Sequence, residues 1–162
     1  MVEVLDLDQA RAWAAAAAVP DPEVPCVTVA DLGILRWVRV EDGVATAGVA
    51  PTYSGCPAVL AIELAVETAL RDAGFDARTE RILTPAWTTD WITDAGREKL
   101  RAYGIAPPAS GGKGSLFDSP VVACPQCGSD DTAKISEFGS TACKAQYQCR
   151  SCAEPFDYFK CI

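Results

Sequence analysis

Two cysteine pairs carry the plainest chemistry in this sequence: Cys124-Pro125-Gln126-Cys127 and Cys149-Arg150-Ser151-Cys152. Two residues between thiolates let one tight turn aim both sulfurs at one ion. Two such turns complete a tetrahedral four-sulfur site that zinc or iron accepts. The pairs stand 21 residues apart, close to the spacing of zinc ribbons. Gly128, directly after the first pair, can supply the positive φ that such turns often need. Residues 132–136, 143–148 and 156–160 can form short strands behind the two knuckles. A module this small buries too little surface to fold unaided, so metal drives its folding. Cys143 and Cys161 lie nearby and are not needed for four-sulfur coordination. They are either small buried hydrophobes or additional ligands, forming a second thiolate site or handing metal over.

Cys56 stands apart, in Pro51-Thr52-Tyr53-Ser54-Gly55-Cys56-Pro57, where a strand meets the strongest helix pattern of the chain. At or next to an N-cap, unpaired amides and the helix dipole favour an anion, which predicts a stabilised thiolate. Thr52 and Ser54 can hydrogen-bond the same sulfur. The plain alternative is a cysteine that merely packs at the cap. Histidine is absent, which excludes imidazole triads, ligands and proton shuttles. Asp21-Pro22-Glu23 places two carboxylates around a proline in a stiff turn. They read as metal ligands, as an acid/base pair or as a solvated loop. Cys26 reads as a core residue, and Asp31-Leu32-Gly33 as a turn.

The elements that must position these groups follow from pattern. Residues 8–18, rich in alanine, read as a helix capped by Asp6 or Asp8. The prolines of 19–25 end it. Residues 34–40 and 44–50 read as two strands joined at Glu41-Asp42-Gly43, a hairpin signal. Residues 56–74 read as the best helix, with Pro57 at its first position, Gly74 at its stop and Glu63, Glu67 and Arg71 as its polar stripe. Residues 77–84 read as a third strand and 93–103 as a third helix, closed by Gly104. Residues 107–120, rich in Pro, Gly and Ser, read as a linker. The expected organisation is an α+β domain over 1–106, with a small mixed sheet packed by about three helices, then the linker and a β zinc ribbon over 121–162.

The chain has 162 residues, 49% of them apolar, and a net charge of −8. Residues 1–106 hold 9 Lys/Arg against 16 Asp/Glu, and residues 121–162 hold 4 against 5. Neither part offers the positive field that draws in phosphate backbones or an anionic membrane surface, so no nucleic-acid or membrane partner is expected. No apolar run reaches the ~18 residues of a membrane span, and the acidic start of the chain lacks the basic region of a signal peptide. The expected location is the cytoplasm.

The order Asp21-Pro22-Glu23, Asp31-Leu32-Gly33 before a hairpin, and Thr52 with Gly55-Cys56-Pro57 opening a helix resembles the small iron–sulfur assembly domain family (SufT-like in bacteria) over roughly residues 8–104. Nearly the whole chain resembles the D-type subunit family of phenylacetyl-CoA epoxidases, also called PaaJ-type phenylacetate-CoA oxygenase subunits. The stretches that carry it include 87–93, 104–108, Phe138-Gly139-Ser140-Thr141-Ala142-Cys143-Lys144 and 154–161. The resemblance implies a role in aerobic phenylacetate breakdown, beside a di-iron oxygenase and a flavin and iron–sulfur reductase. Such a subunit is not expected to turn over substrate. It implies help in installing or maintaining the metal centres, with Cys56 as the key cysteine, Thr52 beside it, and Asp21 and Glu23 as the acidic motif. It also gives Cys143 and Cys161 more weight.

The cofactors expected are structural zinc in the ribbon and transient iron or an iron–sulfur cluster at Cys56. The expected partners are the oxygenase and reductase subunits, with a second copy of the chain as a candidate. Scaffolding within the oxygenase is the main alternative. A nucleic-acid-binding ribbon is disfavoured by its charge, and a cysteine-dependent acyl-thioester enzyme lacks a base and a clear oxyanion hole.

Overall fold

The computed structural model describes residues 2–53, 55–108 and 121–160, with side chains from residue 7 onward. The chain divides into two compact units, 1–87 and 88–162.

The first unit begins with helix α1 (Val2–Ala17). It starts well ahead of the expected residue 8, so neither Asp6 nor Asp8 caps it. The hairpin of β1 (Leu35–Glu41) and β2 (Val44–Val49) forms at the expected place. Its loop residues Asp42 and Gly43 both adopt positive φ, at 50° and 80°, as a tight two-residue hairpin requires. Helix α2 (Val59–Asp72) then returns the chain to β3 (Asp76–Arg81), which pairs with β2 in parallel. The sheet is therefore mixed, in the order β1-β2-β3.

Both helices pack on one face of this sheet. Val38 of β1 and Ala45, Ala47 and Val49 of β2 are buried, as are Ala12 and Ala16 of α1 and Val59, Ile62, Val66 and Leu70 of α2. These follow the period of two along the strands and of three to four along the helices. The other face is open. There Gly48 makes room for the Trp37 indole, since a Cβ would sit 2.4 Å from it. The expected polar stripe of α2 is tied down by ion pairs: Glu67 pairs with Arg71 at 2.8 Å, and Glu63 reaches Arg81 of β3 at 2.8 Å.

The second unit contains a 3₁₀ turn (Thr89–Trp91), α3 (Asp94–Tyr103), β4 (Ile105–Ala106), β5 (Thr132–Ser136), β6 (Lys144–Cys149) and β7 (Pro155–Phe159). Thr93 caps α3 by accepting from the Gly96 amide at 3.0 Å, and Gly104 ends it at φ 91°. The sheet order is β4-β7-β6-β5, with β4 parallel to β7. That short strand places α3 and β4 in the same compact unit as the ribbon, whereas the expected first domain ran on to residue 106. Arg97 of α3 is buried and donates to the carbonyls of Thr89 and Pro108, fastening both ends of this segment. The ribbon core holds Val122, Ala145, Tyr147, Phe156 and Tyr158, with the Tyr147 and Tyr158 rings edge-on at 5.4 Å. The expected linker falls mostly outside the described residues.

Candidate metal centres

Four sulfurs converge at the end of the ribbon. The Sγ atoms of Cys124, Cys127, Cys149 and Cys152 all lie within 4.8 Å of one another. Cys124 and Cys152 are 3.8 Å apart, and Cys127 and Cys149 are 3.6 Å apart. A tetrahedron with zinc–sulfur bonds of ~2.3 Å has edges of about 3.8 Å, so this donor set fits the ion.

The two knuckles share one backbone design. In each, the first cysteine's amide donates to the carbonyl five residues on, Cys124 to Ser129 and Cys149 to Glu154, both at 2.9 Å; in the second, the Cys152 amide also donates to Cys149 Sγ at 3.4 Å. This amide pulls the Cys149 thiol down to about 7, toward the thiolate a metal needs. The residue after each pair has positive φ: Gly128 at 75° and Ala153 at 65°. The glycine was legible in the sequence. The alanine was not, because nothing in its side chain marks that conformation. The Ser129 and Ser151 hydroxyls, 2.8 Å apart, link the two knuckles.

Cys143 does not join this group. It precedes β6, whereas Cys149 ends it, and a strand of that length separates them by about 20 Å. Cys143 is buried, with the Thr141 hydroxyl 3.0 Å from its sulfur. Cys161 lies outside the described residues.

The second centre is built around Cys56. The Ala50 amide bonds to the Ile34 carbonyl at 2.8 Å, so the chain leaving β2 runs beside the segment that follows residue 20. That segment is closed by Asp21. Its Oδ1 accepts from the Glu23 and Val24 amides at 2.9 and 2.8 Å, and its own amide donates to the Val27 carbonyl at 2.9 Å. Thr28 and Asp31 then cap each other's amides at 3.0 and 3.1 Å. The Trp87 indole donates to the Leu32 carbonyl at 2.8 Å, a brace the sequence did not advertise.

Helix α2 starts at Val59 with Ala58 as N-cap, so Cys56 stands two residues ahead of the cap rather than on it. Thr52, Asp21 and Glu23 lie close enough to act on its thiol. Ser54 lies outside the described residues. The expected stabilised thiolate is not found. Desolvation raises the Cys56 pKa above that of an ordinary thiol, and Glu23 and then Asp21 push the same way. The Ala58 amide and the Thr52 hydroxyl oppose this and are outweighed. The sequence reading placed Cys56 close to the start of α2 but had the sign wrong, because it weighed neither burial nor the two carboxylates against the amide. Among the described residues the four ribbon cysteines are the one group of three or more ligating atoms already gathered. Cys56 and the two carboxylates therefore make an incomplete set.

Comparison with known proteins finds matches for both parts of the chain. Residues 109–160 match the model of the PaaD zinc β-ribbon domain, and residues 9–80 match that of an iron–sulfur cluster assembly protein. A relative from Escherichia coli K12, provisionally named as the D-type subunit of 1,2-phenylacetyl-CoA epoxidase, is 51% identical over 151 residues, covering 93% of this chain and 91% of its own length. The chain belongs to the D-type subunit family of phenylacetyl-CoA epoxidases. The assembly-type fold of this D-type protein is also seen at low sequence identity. A solved DUF59 domain from Bacillus anthracis, 20% identical, covers 62% of this chain and 97% of its own at a TM-score of 0.56. For a D-type protein the ribbon metal is zinc, with Cys124, Cys127, Cys149 and Cys152 as the residues that would hold it. Bound there, zinc would supply folding energy, and the four thiolates would leave no position open for chemistry. No helix of the described chain is long and apolar enough to cross a membrane.

Proposed function

We propose that this D-type protein handles iron or an iron–sulfur cluster on its way into the phenylacetyl-CoA epoxidase system, with Cys56 as the transient ligand. The observation that carries this is the electrostatic setting of Cys56. Burial, with the Glu23 and Asp21 carboxylates adding to it, favours the neutral thiol, which suits neither nucleophilic attack nor anion binding. An arriving cation reverses the balance. It displaces the thiol proton, and Glu23 and Asp21 then favour the loaded state. Thr52 orients the sulfur. One thiolate does not hold a cluster, so client ligands, a small thiol or a second copy of the chain complete the coordination. The ribbon acts as a folded recognition arm, and the protein works in the cytoplasm beside the oxygenase and reductase subunits.

The test is to produce the epoxidase with the native chain, with Cys56→Ser, or with neither, and to measure its iron content and activity. The proposal expects the Cys56→Ser sample to match the sample lacking the chain. Full iron content with Cys56→Ser removes Cys56 from the mechanism. A second reading, a purely structural docking role, is favoured by exposed Ile135 and Phe138 on the ribbon. It predicts a stoichiometric component on gel filtration of the epoxidase and full activity with Cys56→Ser.

A further inference from the structure

We infer that two copies of this chain pair through the outer edge of β3, giving one six-stranded sheet. This takes up the second copy named above and gives it a surface. The two edges of the first unit's sheet differ. At β1, Gln9 of α1 covers the backbone: its side-chain amide donates to the Val38 carbonyl and accepts from the Val40 amide. No comparable cap lies on β3 among the described residues, and Asp76, Arg78, Glu80 and Arg81 are exposed.

The hydrogen-bond parity of β3 is known at both ends. The Asp76 amide donates to the Gly43 carbonyl at 3.0 Å and the Ile82 amide to the Val49 carbonyl at 2.8 Å, both toward β2. By alternation the backbone groups of Ala77, Thr79 and Arg81 point to the open edge. An antiparallel copy can then centre on Thr79, with Ala77 opposite the partner's Arg81 and up to about six backbone hydrogen bonds across the dyad. In that register Arg78 stands opposite the partner's Glu80, twice, in the closely spaced non-hydrogen-bonded pairs. Arg78 and Glu80 make no ion pair within the described chain. Arg81, already held by Glu63, meets the small Ala77. Centring on Arg78 or on Glu80 instead sets like charges against each other, which disfavours those registers.

Because Gln9 closes the other edge, pairing stops at two copies and does not run on into a fibre. The dyad also has a consequence for Cys56. It follows β2, which is parallel to β3, so antiparallel pairing of the β3 strands puts the two Cys56 sites at opposite ends of the joint sheet. Each site is then left to a client or a small thiol, and the copies do not share one ion.

The experiment is sedimentation equilibrium of the full, zinc-loaded chain over a range of concentrations. The native chain is expected to dimerise. Arg78→Glu and Glu80→Arg should each weaken the dimer by about tenfold or more, and the double variant should restore it. Circular dichroism checks that all four samples fold. A native chain that stays monomeric, single variants that dimerise as the native chain does, or a double variant that stays dissociated would each overturn the inference. Iron uptake on the same samples reports on the Cys56 proposal alone, since none of these substitutions touches that site.

Discussion

The Cys56 thiol is surrounded by groups that pull its proton in opposite directions, and each can be removed singly. Burial is the largest influence and the carboxylates of Glu23 and Asp21 add to it. Alkylation of Cys56 by iodoacetamide should therefore rise with a midpoint above that of an ordinary exposed thiol. Glu23→Gln removes a negative charge that opposes the thiolate, so its midpoint should fall; Thr52→Val removes a donor to the sulfur, so its midpoint should rise. These shifts are read by mass spectrometry of the modified peptide across pH. A second residue-scale prediction concerns Ala153, at φ 65° in the second knuckle. Ala153→Gly should stabilise the zinc-loaded ribbon by about 1 kcal/mol, and Gly128→Ala should destabilise it by a similar amount. Thermal melting with zinc in excess checks both. The ligands themselves were plain in the sequence, because two-residue spacing is a local property. The sign of the Cys56 shift was not, because it depends on burial and on carboxylates more than thirty residues away in the chain.

At the scale of elements, the sequence was most legible where one residue type carries a backbone demand. Asp42-Gly43 gave the hairpin, Thr93 and Gly104 bounded α3, and residues 132–136 gave β5. It was least legible where pairing partners decide. Nothing local in Ile105–Ala106 shows that these residues lie beside β7. The start of α2 was misplaced because Pro57 fits a first helical turn, yet Pro57 and Ala58 form a turn before the helix and Ala58 caps it without a side-chain bond. Gly48 shows how far one small residue supports the sheet. A Cβ there would meet the Trp37 indole at 2.4 Å and Ile82 Cδ1 at 2.7 Å. Gly48→Ala should cost about 1–3 kcal/mol through overpacking, measured by denaturant unfolding, with a change in Trp37 fluorescence.

For the whole molecule, the two compact units rest on different physics. The first has a helix-covered sheet and an apolar core. The second rests on a small aromatic core and four sulfurs. Chelation of zinc should therefore abolish the near-ultraviolet signal of Tyr147 and Tyr158 while the helical far-ultraviolet signal of α1 and α2 persists. A ribbon that keeps its signal in chelator would show that metal is not what folds it.

Iron binding by the purified chain bears most directly on the central claim, that Cys56 with its acidic neighbours takes up iron. The chain, its ribbon already filled with zinc, is incubated anaerobically with ferrous ion, a small thiol and sulfide, and bound iron is then counted per chain. The account predicts iron on the native protein, less on the Glu23→Gln variant and none above background on Cys56→Ser, with zinc unchanged in all three. Equal iron on the native and Cys56→Ser proteins would contradict it.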